Sequence, residues 1–184
     1  SDRDWSSDVC SSDLIPHVSM PQAISHFFLD HHKSVVVAGT HGKSTTSAML
    51  AWVLAQAGLD PSCLIGAFLK DWGTSHRIGH GPYMVIEGDE YDTAFFDKGP
   101  KFLHYRPHIA ILTSIEFDHA DIFKDLDAVI DAFQRFVHLI PEEGRLIVHG
   151  DDALCLRLAG ECRGTVETYG TSGDADWQLR DPEY

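Results

Sequence analysis

One segment limits the fold more than any other: an apolar run, Ser34 to Ala38, passes straight into a glycine-containing turn, GTHGKSTT (Gly39 to Thr46), and a helix-forming stretch follows. Val35, Val36 and Val37 are β-branched and contiguous, which suits a strand buried on both faces. Past the turn, Leu50, Val53, Leu54 and Ala57 recur at helical spacing, and Gly58 stands where a left-handed residue ends a helix. Strand, glycine turn and helix together open an α/β domain. Pro21 to Leu29 predicts a short helix ahead of the strand. Met84 to Glu87, Ile109 to Thr113 and Leu146 to His149 predict further buried strands, separated by segments long enough for crossovers, so parallel pairing is expected. A helix from about Asp125 to Ile140 turns Leu126, Val129, Ile130, Phe133 and Val137 to one face before Pro141 ends it. Another starts near Asp151 with Leu154 and Leu158 inward, and Thr165 to Tyr169 adds a strand. The expected class is α/β: a mostly parallel sheet with helices on both faces, of the phosphate-loop type, with ligands at the carboxyl ends of its strands.

A chain of 184 residues buries one ordinary core. Residues 1–14, SDRDWSSDVCSSDL, are rich in Ser and Asp and nearly repeat themselves, so they stand outside the fold as a non-native leader or a natural acidic tail. A formal charge of -14 repels polyphosphate backbones, which excludes a nucleic-acid surface and requires any phosphate ligand to be held locally, by backbone and metal. No apolar run approaches the ~20 residues of a membrane helix, and no basic-then-apolar leader is present. The expectation is a cytoplasmic protein with no membrane or nucleic-acid partner. Cys10, Cys63, Cys155 and Cys162 form no CxxC pair and read as reduced thiols.

Three segments carry chemistry. In the turn Gly39-Thr40-His41-Gly42-Lys43-Ser44-Thr45, backbone N–H groups and a helix N-terminus are expected to converge on one spot, where Lys43 would reach the β/γ-phosphates of a nucleotide and the Ser44 hydroxyl would ligate Mg²⁺. The loop departs from the common form, because the first glycine of GxxxxGK[ST] would fall at Val37 and stands instead at Gly39. MVIEGDE (Met84 to Glu90) is an apolar strand ending in acids. Glu87, the first acid past the apolar run, is placed to give a nucleotide-bound Mg²⁺ a hard oxygen ligand, whereas Asp89 and Glu90 read as either a solvated turn or part of the site. In LTSIEFDHADIF (Leu112 to Phe123), His119 lies just past a strand end between Asp118 and Asp121, either as a metal ligand with carboxylate orientation or as a surface histidine.

In this order, these segments resemble the Mur ligase family. EGDEYDTAFFDKGPKFLHYRP followed by EFDHADIF is similar to members that join UDP-N-acetylmuramate to the tripeptide L-alanyl-γ-D-glutamyl-meso-diaminopimelate in peptidoglycan recycling; those that join it to L-alanine typically read EADESD with no following FFDK. The resemblance implies a fragment: residues 15–33 as the segment joining an N-terminal UDP-binding domain, residues 34–184 as the central ATP-binding domain, and no C-terminal domain, hence no ligation by this polypeptide alone. It also implies ATP and Mg²⁺ as cofactors, with Lys43 on the transferred phosphate, Ser44 and Glu87 on metal, His119 on a second metal, and Arg77 and Ser114 near the muramyl substrate. Ser44 stands where threonine is commoner and keeps the hydroxyl. Ser114 stands where asparagine is frequent, and Ala67 where a second glycine often follows Gly66. Two other readings of the loop stay open: a small phosphate-loop kinase or GTPase, the latter lacking the guanine-reading NKxD, and a nucleotide-binding module without ligase activity.

Overall fold

A computed structural model describes residues 17–94, 96–118, 122–171 and 173–180. It opens with α1 (Met20–Phe27), started by a capping box in which Ser19 and Gln22 exchange side-chain-to-backbone hydrogen bonds. A short 3₁₀ turn, Leu29–His31, leads into β1 (Lys33–Ala38). The phosphate loop and α2 (Lys43–Gln56) follow, then the antiparallel pair β2 (Ser62–Leu69) and β3 (Thr74–Arg77), and β4 (Tyr83–Gly88). β5 (Asp92–Ala94) and β6 (Asp97–Pro100) make a separate small ribbon, followed by a 3₁₀ turn at Lys101–His104. The second half alternates regularly: β7 (Ile109–Leu112), α3 (Leu126–His138), β8 (Arg145–His149), α4 (Ala153–Ala159), β9 (Thr165–Gly170) and β10 (Trp177–Gln178).

Among the described residues the main sheet has the order β10-β9-β8-β7-β1-β4-β2-β3, parallel throughout except for β2–β3. The chain leaves β1 toward one edge, returns at β4, and then crosses to β7 on the other side of β1. This reversal leaves a crevice at the carboxyl ends of β1 and β4, the usual ligand position in an open α/β sheet. Alternation along the strands divides the core. Val36, Ile86, Leu112 and Leu146 face α1, α3 and α4, while Val35, Val85, Cys63 and Ile65 face α2. Phe102, Phe133 and Phe136 are almost wholly buried on the first side, and the Phe102 ring lies 5.3 Å from that of Phe133 and 5.0 Å from that of Phe136. Phe136→Ala is therefore expected to lower unfolding free energy by about 3–5 kcal/mol, read from the urea midpoint at unchanged slope.

The expected architecture is the one observed, with differences in detail. Gly58 does take a left-handed conformation past the end of α2 (φ +74). The inward face of that helix is another matter: Ser47 and Ala51 are buried, Leu50 and Leu54 partly so, while Val53 is 52% exposed and Ala57 is exposed. Apolar residues occur all round α2, so spacing alone could not select the face, and the small side chains of Ser47 and Ala51 let the helix lie close to the sheet. Outward-facing Met49, Trp52 and Val53 instead line a hollow of about 810 Å³ with Phe68 and Trp72. Leu126, at the first position of α3, is 38% exposed rather than inward. No described helix is long and apolar enough to cross a membrane.

Candidate active site

The crevice at the end of β1 is occupied by the glycine loop. Gly39 has φ +137, and a Cβ there would lie 2.2 Å from Thr113 Oγ1 and 2.9 Å from Ser114 N, so only glycine lets the loop pass this close to the end of β7. Three contacts then fasten the loop to residues 113–116. Thr40 N–H donates to Ser114 O (2.9 Å), His41 N–H donates to Ser114 Oγ (3.0 Å), and Glu116 N–H donates to Thr40 Oγ1 (2.9 Å). Thr113 Oγ1 adds a bond to His41 O. Ser114, expected near substrate, is a brace of the loop in this structure. Nothing in the strand pattern announces these braces, because they join positions more than seventy residues apart.

Gly42, at φ +81, is the N-cap of α2, and among the described residues no side chain caps that helix. The first intrahelical bond runs from Thr46 N–H to Gly42 O (2.9 Å). The amides of Lys43, Ser44 and Thr45 thus have no acceptor within their own helix and point with the positive end of the helix dipole into the crevice. Thr40, His41, Gly42, Lys43, Ser44 and Thr45 all line a cavity of about 510 Å³, shared with Gly66, Glu87, Asp89, Glu90, Tyr91 and Asp118. His41 sits at its rim, 3.7 Å from a Glu116 carboxylate oxygen and 3.9 Å from one of Asp118.

Three acids, Glu87 near the end of β4 and Asp89 and Glu90 just past it, go to three different partners. Glu87 accepts from the Ser44 hydroxyl (2.9 Å) on one oxygen and from Gly66 N–H (2.8 Å) on the other. Asp89 pairs with Lys101 at 2.6 Å. Glu90, only 3% exposed, pairs with Lys43 at 2.9 Å. Beneath them lies Tyr105, whose phenol is pushed up to about 12, first by burial and then by the Asp89 and Glu87 carboxylates. The strand pattern puts Glu87 at the carboxyl end of β4, but its bond to Ser44, the pairing of Glu90 and the part of Lys101 are tertiary and not legible in the sequence.

Arg77 is not brought to the cavity. It pairs in register with Cys63 near the amino end of β2, its guanidinium bonds Pro61 O (2.8 Å) and the Asp60 carboxylate, and it packs over Trp72. Asp60 is held below the usual carboxylate range by His80 N–H and by Arg77. Arg77 therefore has a local structural partner set at the opposite end of the strand. His119 lies outside the described residues.

Among the described residues no group of three His, Cys, Asp or Glu side chains is arranged to hold a metal. A nucleotide-bound Mg²⁺ needs no such group, since phosphate oxygens and waters fill most of its six positions and one or two hard protein oxygens suffice. Ser44 Oγ and Glu87 Oε1, 2.9 Å apart at the mouth of a helix N-terminus, meet that requirement.

Comparison with known proteins agrees with this fold. The family model described as Mur ligase middle domain matches residues 37–183. The UDP-N-acetylmuramate–L-alanyl-γ-D-glutamyl-meso-2,6-diaminoheptandioate ligase of Escherichia coli is 42% identical over 167 residues, which is 90% of this chain and 36% of that protein. A UDP-N-acetylmuramate–L-alanine ligase of Paenarthrobacter aurescens is 44% identical over 82% of this chain and 32% of its own length. Among solved structures, a UDP-N-acetylmuramate:L-alanyl-γ-D-glutamyl-meso-diaminopimelate ligase from Neisseria meningitides superposes with a TM-score of 0.80 at 43% identity, covering 88% of this chain and 52% of that one. The chain spans about a third of the length of these curated relatives. With its parallel sheet, its glycine loop between β1 and α2, and its family match across most of its length, the chain belongs to the Mur ligase middle-domain family.

Proposed function

We propose that this chain is the ATP-binding and phosphoryl-transfer part of an ADP-forming ligase that joins UDP-N-acetylmuramate to L-alanyl-γ-D-glutamyl-meso-diaminopimelate. Residues 34–184 form the nucleotide domain, and residues 15–33 join it to a substrate-binding part. The observation that carries the reading is the placing of Lys43, Ser44 and Glu87 together at the amide end of α2. Loop amides and Lys43 gather the charge of the terminal phosphates, while Ser44 and Glu87 are the residues that would hold Mg²⁺. When bound, the ion neutralises charge on the phosphoryl oxygens. The substrate carboxylate displaces ADP from the γ-phosphorus to give an acyl phosphate, and the peptide amine then attacks the carbonyl and releases phosphate. The chain's own contribution is alignment and fixed positive potential, which matter most where charge is spread over the transferring group. His119 is retained as a further metal ligand in this reading.

The choice of tripeptide over L-alanine is supported by the names of relatives such as those of Escherichia coli and Haemophilus influenzae, the latter 47% identical over 133 residues. The test is an ADP-release assay on a polypeptide that includes this chain and the flanking regions of its reading frame, given ATP, Mg²⁺ and UDP-N-acetylmuramate with either tripeptide or L-alanine. Preference for the tripeptide, with no ADP release when Glu87 is replaced by alanine, is expected. L-alanine preference would transfer the chain to the other branch, and undiminished turnover in Glu87→Ala would remove Glu87 from the site.

A further inference from the structure

Lys43 has three ammonium hydrogens, and each already has an acceptor. Gly39 O lies at 2.8 Å, Thr40 O at 3.1 Å, and the Glu90 carboxylate at 2.9 Å from one oxygen and 3.0 Å from the other. The two carbonyls belong to a loop fastened to residues 113–116, so they move only if that bracing is lost. The Glu90 carboxylate is different: it belongs to a side chain with several rotatable bonds, not to the braced loop backbone, it lies past the last residue of β4, and it lines the same cavity as Ser44, Thr45 and Glu87. A phosphate oxygen that bonds to Lys43 must take the place of one of these three acceptors, and the carboxylate is the one that can leave without unfastening the loop.

We propose that Glu90 is a positioning residue for Lys43: it holds the ammonium against the loop where a phosphate oxygen will take over, so that triphosphate binding exchanges one anion for another on the same cation. The proposal rests on the nucleotide-binding reading given above. It adds that Glu90 sets the affinity of the site. Lys43 is 14% exposed and Glu90 3%, so the pair is little screened by solvent, and the competition is felt nearly in full. Held by two loop carbonyls as well as the carboxylate, the ammonium meets the phosphate already oriented.

The experiment is calorimetric titration of Mg·ATP into the chain and into Glu90→Gln, Glu90→Asp and Asp89→Asn. Glu90→Gln keeps the shape and an acceptor but removes the competing charge, so it is expected to bind about tenfold more tightly. Glu90→Asp keeps the charge and should stay within about threefold of the parent. Asp89→Asn removes a carboxylate from the same cavity that is paired with Lys101 instead, and should gain less than about threefold. Loss of a merely structural ion pair weakens binding, so unchanged or weaker binding by Glu90→Gln overturns the proposal. Equal gains from Glu90→Gln and Asp89→Asn overturn it too, since they would trace to bulk charge rather than to Lys43. If the parent binds and Glu90→Gln shows no gain, only this inference falls. If neither binds, the nucleotide reading falls and takes the inference with it.

Discussion

Lys43→Ala is expected to raise the dissociation constant for Mg·ATP by at least about a hundredfold and to destabilise the fold as well. Both effects follow from the same contact. The ammonium is bonded directly to the glycine loop, and removing it leaves a buried carboxylate, Glu90, facing the incoming phosphates. Breaking a buried ion pair of this kind by removing one partner costs roughly 3–5 kcal/mol, so the urea midpoint should fall together with the affinity. Adding Glu90→Gln to Lys43→Ala removes the buried negative charge and should restore most of the stability, whereas the affinity should remain well below that of the parent. Urea unfolding followed by circular dichroism and nucleotide titration on the same samples separate the two. An affinity within about threefold of the parent in Lys43→Ala would take the lysine out of the nucleotide site.

Gly39→Ala should unfold the domain most readily of the glycine substitutions at the loop. A left-handed φ of +137 already disfavours any side chain, and the added Cβ would overlap Thr113 Oγ1 and approach the backbone of Ser114. Relief requires the loop to separate from residues 113–116, breaking the bonds that Thr40 and His41 make there. The expected loss is about 3–5 kcal/mol, from backbone strain together with overpacking. Gly73→Ala is the control: its φ is +67, but a Cβ there meets nothing within 4 Å, so only the backbone term remains, roughly 1–2 kcal/mol. Equal losses at the two positions, measured by urea unfolding, would mean that the close approach at Gly39 contributes nothing.

Much of this protein is legible in short stretches of its chain. Contiguous β-branched runs identify strands buried on both faces, and Val35 to Val37 could hardly be anything else; parallel order follows from the length of the connections. A helix that begins inside GKST must aim its free amides at whatever lies past β1, so the position of Lys43 and Ser44 is a local matter of chain geometry. Glu87 is legible for a similar reason, since it ends an apolar run that had to be a strand. By contrast β3, β5, β6 and β10 are short or polar, and their pairing takes its stability from neighbours rather than from their own pattern.

What the amino-acid order settled alone is therefore the class of fold and the glycine loop between β1 and α2, because both follow from period, β-branching and glycine over a few consecutive residues. Only the folded chain decided which acid joins which cation or hydroxyl: Glu90 to Lys43, Asp89 to Lys101, Glu87 to Ser44, with Arg77 carried off to the far end of β2. Charge pairing is set by distance in space, and the short turn after β4 redirects Asp89 and Glu90 in ways that no spacing along the chain encodes.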